Sequence, residues 1–278
     1  MNFQIVTKFK SITNRLLSYY PNLTQSWLLF GFFILCHFAE FAVKTIIQYA
    51  AAATQEWALL SGNVAKYIVL ALFVVRLSKH SNDMPIIFTK PSHFIWFLLV
   101  PFTLAVNMTA TSLTLWIPQP VFVKQLFENV FKINFPAFLY IVVVAAVCEE
   151  WLCRGIILKG LMKHYSPRKA IVWSSVIFSV LHFNPWQGVT AFFMGLAFGW
   201  IYWHTRSLRY CIFMHVVNNA TAFLLLFLFQ NSPDEYSLAD IAGGYYIYVV
   251  TLFVCLLCVL GIKKLLNTRN FNVQTSAR

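Results

Sequence analysis

Apolar residues gather into eight long runs along the chain, each parted from the next by a short polar connection: Trp27–Tyr49, Trp57–Leu77, Phe94–Ile117, Phe135–Leu158, Ala170–Phe183, Gln187–Trp203, Tyr210–Phe229 and Tyr245–Leu266. Most approach the ~20 residues a helix needs to cross a bilayer. The fifth and sixth are shorter, and the Asn184-Pro185 turn joins them tightly, so tilt or longer reach is expected there. The pattern predicts an all-α, polytopic transmembrane helical bundle of about eight spans. On the sixth run Ala191, Gly195 and Gly199 recur every fourth position, a small-residue face for close helix contact. Ahead of the runs, Ile5, Phe9, Ile12 and Leu16 recur at helical spacing among Lys8, Lys10 and Arg15. Residues 1–25 therefore read as a basic cytoplasmic tail, either an interfacial amphipathic helix or a disordered segment. Residues 26–267 read as one transmembrane domain with its chemistry at about 135–230, and 268–278 as a second cytoplasmic tail.

Composition agrees. Hydrophobic residues make up 59% and charged residues 11%, against about 25% charged in soluble domains. The net charge of +12 arises from 21 Lys and Arg against 9 Asp and Glu. In a soluble protein such a balance would point to nucleic acid, but here the bases collect in alternate connections. Lys159, Lys163, Arg168 and Lys169 follow the fourth run, Arg206 and Arg209 follow the sixth, and Lys263, Lys264, Arg269 and Arg278 end the chain. The connection between the last two runs is acidic, with Asp234, Glu235 and Asp240. Basic segments favour the cytoplasmic side, so both termini are expected there. Membrane lipids are the expected surroundings, the plasma (inner) membrane the expected location, and nucleic acid is not an expected partner. The oligomeric state is left open.

The six cysteines lie inside apolar runs and are expected to be reduced. Cys255 and Cys258 form a CxxC, but it lacks the second pair of ligands that a metal site would need. The N-terminus lacks the pattern of a cleavable signal. The sequons at Asn22, Asn107 and Asn219 read as chance.

Charge inside the runs changes the picture more. "VVVAAVCEEWLCRGIIL", residues 142–158, sets Glu149, Glu150 and Arg154 in the middle of a span. Each charge at the bilayer centre costs about 2.5 to 3.5 kcal/mol. Glu150 and Arg154 are four apart and share a helix face, which predicts an ion pair. Glu149 points about 100° away and is left without a partner on its own helix. Two adjacent carboxylates in different surroundings are a usual way to divide acid and base roles. His182 ends "FSVLH" with Phe178 one turn before it, while His215 and Asn219 lie one turn apart in "MHVVNNA", with Asn218 expected to face elsewhere. Counted from the basic ends at 1.5 Å per residue, Glu149, His182 and His215 lie roughly 15, 20 and 9 Å deep. They can share a plane near the cytoplasmic side. Interhelical packing, a proton relay in a transporter and a hydrolytic site all remain compatible with such a set. His37, Glu40 and Lys44 line one face of the first run, where Glu40 and Lys44 are expected to neutralise each other. Lys66 either pairs with Glu40 or snorkels, and Asn107 is expected to bond across helices.

The ordered set of "EEWLCR", "FSVLH" and "HVVNN" resembles the EExxxR, FxxxH and HxxxN motifs of the CPBP family of intramembrane proteases. That family contains type II CAAX prenyl endopeptidases and bacteriocin-processing or self-immunity proteins. The resemblance covers Phe135 to about Phe229 and leaves the first three runs without a motif. It implies an intramembrane endopeptidase acting on membrane-associated peptides or lipidated proteins from the cytoplasmic side. Glu149, aided by His182, would activate a water; His215 and Asn219 would stabilise the oxyanion; Glu150, Arg154 and Phe178 would support them. A metal-free glutamate mechanism is favoured. In the metal-dependent alternative, Glu149, His182 and His215 would hold zinc. A serine mechanism through Ser174, Ser175 or Ser179 is not favoured. A non-catalytic scaffold or immunity protein of the same fold is a further alternative.

Overall fold

The computed structural model describes residues 21–50, 54–77, 93–114, 117, 120, 133–229 and 246–276. The expected amphipathic segment at the N-terminus and the acidic connection at 234–240 lie outside the described residues. Every described element is helical. We number eight helices: α1 Leu23–Ala50, α2 Gln55–Leu77, α3 His93–Thr114, α4 residues 135–164, α5 Pro167–Val180, α6 Pro185–Thr205, α7 Leu208–Phe229 and α8 Tyr246–Ser276. Each of the eight apolar runs falls on one of them. By length and composition α1, α2, α3, α7 and α8 can each cross a membrane.

The outside of the bundle is apolar and its inside is locally charged. Leu28, Phe38, Phe41, Leu72, Phe97 and Val249 are all more than 60% exposed, whereas Glu150 and Arg154 are 0% exposed and Lys66 is 4%. Water would penalise that distribution, and a lipid surround favours it. The chain is an integral membrane protein.

Helix boundaries follow local chemistry. Asn22 and Gln25 cap α1 reciprocally, each side chain accepting the other's backbone N–H at 2.9 Å. The Asn134 side chain accepts the Ala137 N–H at 2.9 Å and starts α4, with a proline in the first turn. Asn184 does the same for α6, accepting the Gln187 N–H at 2.8 Å just ahead of Pro185. Phe183 and Arg206, on either side of α6, take positive φ, 53° and 52°. Both sit at abrupt reversals of the chain.

Helix α4 is not uniform. Its pieces alternate: α (Phe135–Phe138), π (Leu139–Ala145), α (Ala146–Glu150), π (Trp151–Leu158) and α (Lys159–His164). The first π stretch holds four consecutive β-branched residues, Ile141 to Val144, which crowd the preceding turn of a helix. Each π stretch passes one backbone carbonyl to a neighbouring helix. The Ile141 carbonyl accepts from Asn219 of α7 at 2.8 Å, and the Cys153 carbonyl from Ser174 of α5 at 3.1 Å. Glu149 and Glu150 lie on the short α turn between the two.

The predicted small-residue face of α6 packs on α5. A Cβ at Gly195 would stand 2.9 Å from the Ser175 Cβ, and one at Gly199 3.0 Å from Ile171 Cγ2. Close approach of α5 and α6 seats Arg154 against the Gly195 backbone.

Candidate functional site

Arg154 organises the centre. Its Nη1 donates to Glu150 Oε1 at 2.7 Å and its Nη2 to the Gly195 carbonyl at 3.2 Å. Phe178 and Phe198 lie 4.4 and 5.2 Å from the guanidinium carbon, so aromatic faces replace much of its lost hydration. The Glu150–Arg154 pair forms as their four-residue spacing predicts, and both side chains are sealed from solvent. Burying two ions costs several kcal/mol each unless the partners are well placed. The bond between them, the Gly195 carbonyl and the two rings offset part of that cost, while Arg154 Nε and Glu150 Oε2 are buried without a hydrogen bond.

His215 extends the cluster. Its Nδ1 lies 2.9 Å from Glu150 Oε1, the same oxygen that Arg154 grips. A carboxylate oxygen accepts, so Nδ1 carries the hydrogen and Nε2 faces outward from that bond. Glu149 Oε2 is 4.0 Å from Nε2. That oxygen is buried and makes no hydrogen bond. Glu149 is thus the carboxylate without a settled partner, as its position on the helix predicts.

His182 follows α5 in the turn to α6 rather than ending the helix. Its Nδ1 is 2.9 Å from the Phe178 carbonyl, which again places the hydrogen on Nδ1 and leaves Nε2 as the acceptor of the neutral ring. Phe178 stands between the two imidazoles, with ring centroids 5.1 Å from His182 and 5.7 Å from His215. Glu149, Glu150, Arg154 and His215 form one connected group, and His182 approaches it across Phe178. Asn219 is one turn beyond His215. One of its amide hydrogens is engaged by the Ile141 carbonyl, and its Oδ1 accepts from Asn218 at 3.1 Å. Asn218 was expected to face elsewhere. It instead bridges Asn219 and Asn107, whose Nδ2 donates to Asn218 Oδ1 at 2.7 Å. Sequence periodicity missed this because adjacent helical residues diverge by about 100°, while an amide side chain can span the gap. The expected bond of Asn107 across helices is this one.

A second polar group lies between α1 and α2. Glu40 Oε2 meets His37 Nδ1 at 2.8 Å and Lys66 Nζ at 2.9 Å. Lys66 also donates to Asn63 Oδ1 at 2.8 Å and faces the Phe33 and Tyr67 rings. The expected Glu40–Lys44 pair is therefore replaced by Glu40–Lys66. A lysine buried inside the bundle needs the carboxylate more than a half-exposed neighbour on the same helix does.

Ser174, Ser175 and Ser179 each donate to a backbone carbonyl, of Cys153, Ile171 and Gly188. The cysteines are all free thiols. Among the described residues no three His, Cys, Asp or Glu side chains are gathered closely enough to hold a metal ion. Glu149 and His215 approach each other, but the zinc set of Glu149, His182 and His215 is not assembled. An apolar groove of about 380 Å³ runs beside the group, between α2, α4 and α7, with Tyr67, Cys148, Trp151 and Ile212 in its wall.

Residues 131–221 match the family model of the Rce1-like type II CAAX prenyl endopeptidases. The match spans α4 to most of α7, takes in all three motifs and stops short of α1 to α3 and α8. It is a match to a protease family. No curated protein matches the chain, and no solved structure does.

Proposed function

Starting from the Rce1-like segment, we propose that the chain is an intramembrane endopeptidase that uses Glu149 to activate a water. The observation that carries this reading is the contrast between two adjacent carboxylates. Glu150 holds Arg154 and His215 through one oxygen, Oε1, and leaves its Oε2 buried and unbonded, while the Glu149 side chain has neither partner and its buried, unbonded Oε2 lies 4.0 Å from His215 Nε2. A general base needs a carboxylate free to take a proton, and Glu149 meets that need.

In this reading Glu149 removes a proton from water, and the hydroxide attacks the peptide carbonyl. His182 Nε2, an acceptor, helps orient that water. The carbonyl oxygen becomes an oxyanion held by Asn219 and by His215. For His215 to donate, Nε2 must carry a proton. The Nδ1 contact with Glu150 holds the ring so that Nε2 faces the Glu149 side of the site. Glu149 returns its proton to the leaving amine as the carbon–nitrogen bond breaks, which balances the reaction without a metal. Phe178 sets the spacing of the two imidazoles. The substrate is a membrane-associated peptide or lipidated protein, reached from the cytoplasmic face of the plasma (inner) membrane, with both termini of the chain on that side.

The test is cleavage of a fluorogenic peptide panel by detergent-purified protein, with and without a strong chelator, alongside Glu149→Ala and His215→Ala. Cleavage that survives the chelator and vanishes in both variants is expected. Cleavage lost to the chelator and restored by zinc would replace the mechanism with a metal one. Cleavage retained in Glu149→Ala would sink the assignment of the base.

A further inference from the structure

The described part of α3 lies outside the segment that matches the protease family, yet it touches the proposed oxyanion site through an unbroken run of three side-chain amides. We propose that Asn107 is a positioning residue, which fixes the orientation of the Asn219 amide through Asn218 and so aims an N–H at the substrate. This rests on the endopeptidase reading above.

The polarity of the run is set at one end. The Ile141 carbonyl can only accept, so Asn219 must turn Nδ2 toward it, at 2.8 Å. Asn219 Oδ1 then faces Asn218, which must donate with its own Nδ2, at 3.1 Å. That leaves Asn218 Oδ1 as an acceptor, and Asn107 Nδ2 fills it at 2.7 Å. Asn107 Oδ1 in turn lies 3.5 Å from Thr111 Oγ1, a donor one turn on. All three amides are consistent in only one sense. An amide turned over by 180° presents a carbonyl oxygen where an N–H is required, and would repel an oxyanion. The carbonyl at the origin of the run belongs to the first π stretch of α4, so the helix that bears Glu149 also sets the sense of the amides. Asn219 Nδ2 has two hydrogens and spends one on Ile141. The second is the donor that the oxyanion would use.

Three polar side chains between helices can also serve as simple interhelical glue. The two roles separate in kinetics. Asn107→Leu removes the donor to Asn218 with little change in volume, and Asn107→Gln keeps an amide donor. Steady-state cleavage of the best peptide from the panel would be measured for both, with thermal unfolding as a control on folding. Losing one oxyanion donor outright costs about 10²- to 10³-fold in kcat. Loosening its aim is expected to cost less, about tenfold in kcat for Asn107→Leu, with KM within about twofold and substantial recovery in Asn107→Gln. The same substitution made on Asn219→Ala should cost almost nothing further, because the amide it steers is gone. Should Asn107→Leu fail to fold, Asn107→Ala carries the same test. An equal kcat loss with and without Asn219, or a change confined to KM or melting temperature, would overturn the proposal. A wild-type protein that cleaves no peptide would overturn the protease reading and this inference together, whereas wild-type cleavage with an indifferent Asn107 would remove the inference alone.

Discussion

Two clusters in this bundle share one plan. At the centre, Glu150 binds a base, Arg154, and the Nδ1 of a histidine, His215. Between α1 and α2, Glu40 binds a base, Lys66, and the Nδ1 of a histidine, His37. In both, one carboxylate oxygen serves both partners. The surroundings differ. Glu150 and Arg154 have no exposed surface, whereas the Glu40 side chain is 16% exposed and that of His37 40%. The central cluster has a second carboxylate beside its histidine, and the outer one has none among the described residues. The same carboxylate–base–histidine set therefore occurs twice in the bundle, once inside the matched segment and once outside it. What sets the centre apart is a second carboxylate, Glu149, whose buried Oε2 makes no hydrogen bond and faces the histidine, together with a matched protease-family segment that contains it.

The sharpest way to break the comparison is to remove that oxygen's charge. Glu149→Gln is expected to lower cleavage by about 10³-fold or more, at the upper end for a general base, without loss of fold. Glu40→Gln should leave kcat within about tenfold, and comparable losses in the two variants would erase the distinction. The next effect is on stability. Arg154→Met strands Glu150 in a sealed site and should cost about 3 to 5 kcal/mol in reversible unfolding. Lys66→Met leaves a partly exposed Glu40 that can be hydrated, and a smaller loss is expected in the same melting assay. The helix crossings under each cluster offer a finer test. A Cβ at Gly62 would fall 2.6 Å from the Glu40 backbone carbonyl, while one at Gly195 would meet Ser175 at 2.9 Å. Gly62→Ala and Gly195→Ala should each cost about 1 to 3 kcal/mol by overpacking. Only Gly195→Ala should also lower activity, because it displaces the carbonyl that holds Arg154. The smallest effect is expected from Asn184→Ala, which removes the cap of α6 for about 1 kcal/mol and can be read as a modest drop in melting temperature.

The difference between the clusters also separates what the chain announces from what it hides. All eight helices were legible because apolar runs of this length have no other stable form in lipid. The Glu150–Arg154 pair was legible from a spacing of four, and the α5–α6 contact from small residues at the same spacing. Partners on different helices were not. Glu40 bonds Lys66 rather than Lys44, since α2 brings the lysine into the interior and periodicity within α1 knows nothing of α2. Half of the Asn218 bridge, the bond from Asn107 on α3, failed to show for the same reason. The π stretches of α4 left no clear mark either, because the residues that donate to their freed carbonyls, Asn219 and Ser174, lie on α7 and α5.

Those stretches bear on how this helix can change over generations. A π turn holds one more residue than the α turn it replaces, so it acts as an absorbed insertion. Deleting a residue within 139–145 has somewhere to go: the backbone can return to α hydrogen bonding without disturbing the capped start at Asn134. Glu149 would then move relative to that start, while the distal part of α4 keeps its own register. Length variation at this point would be a way to re-aim a carboxylate inside a membrane without altering any residue that touches it.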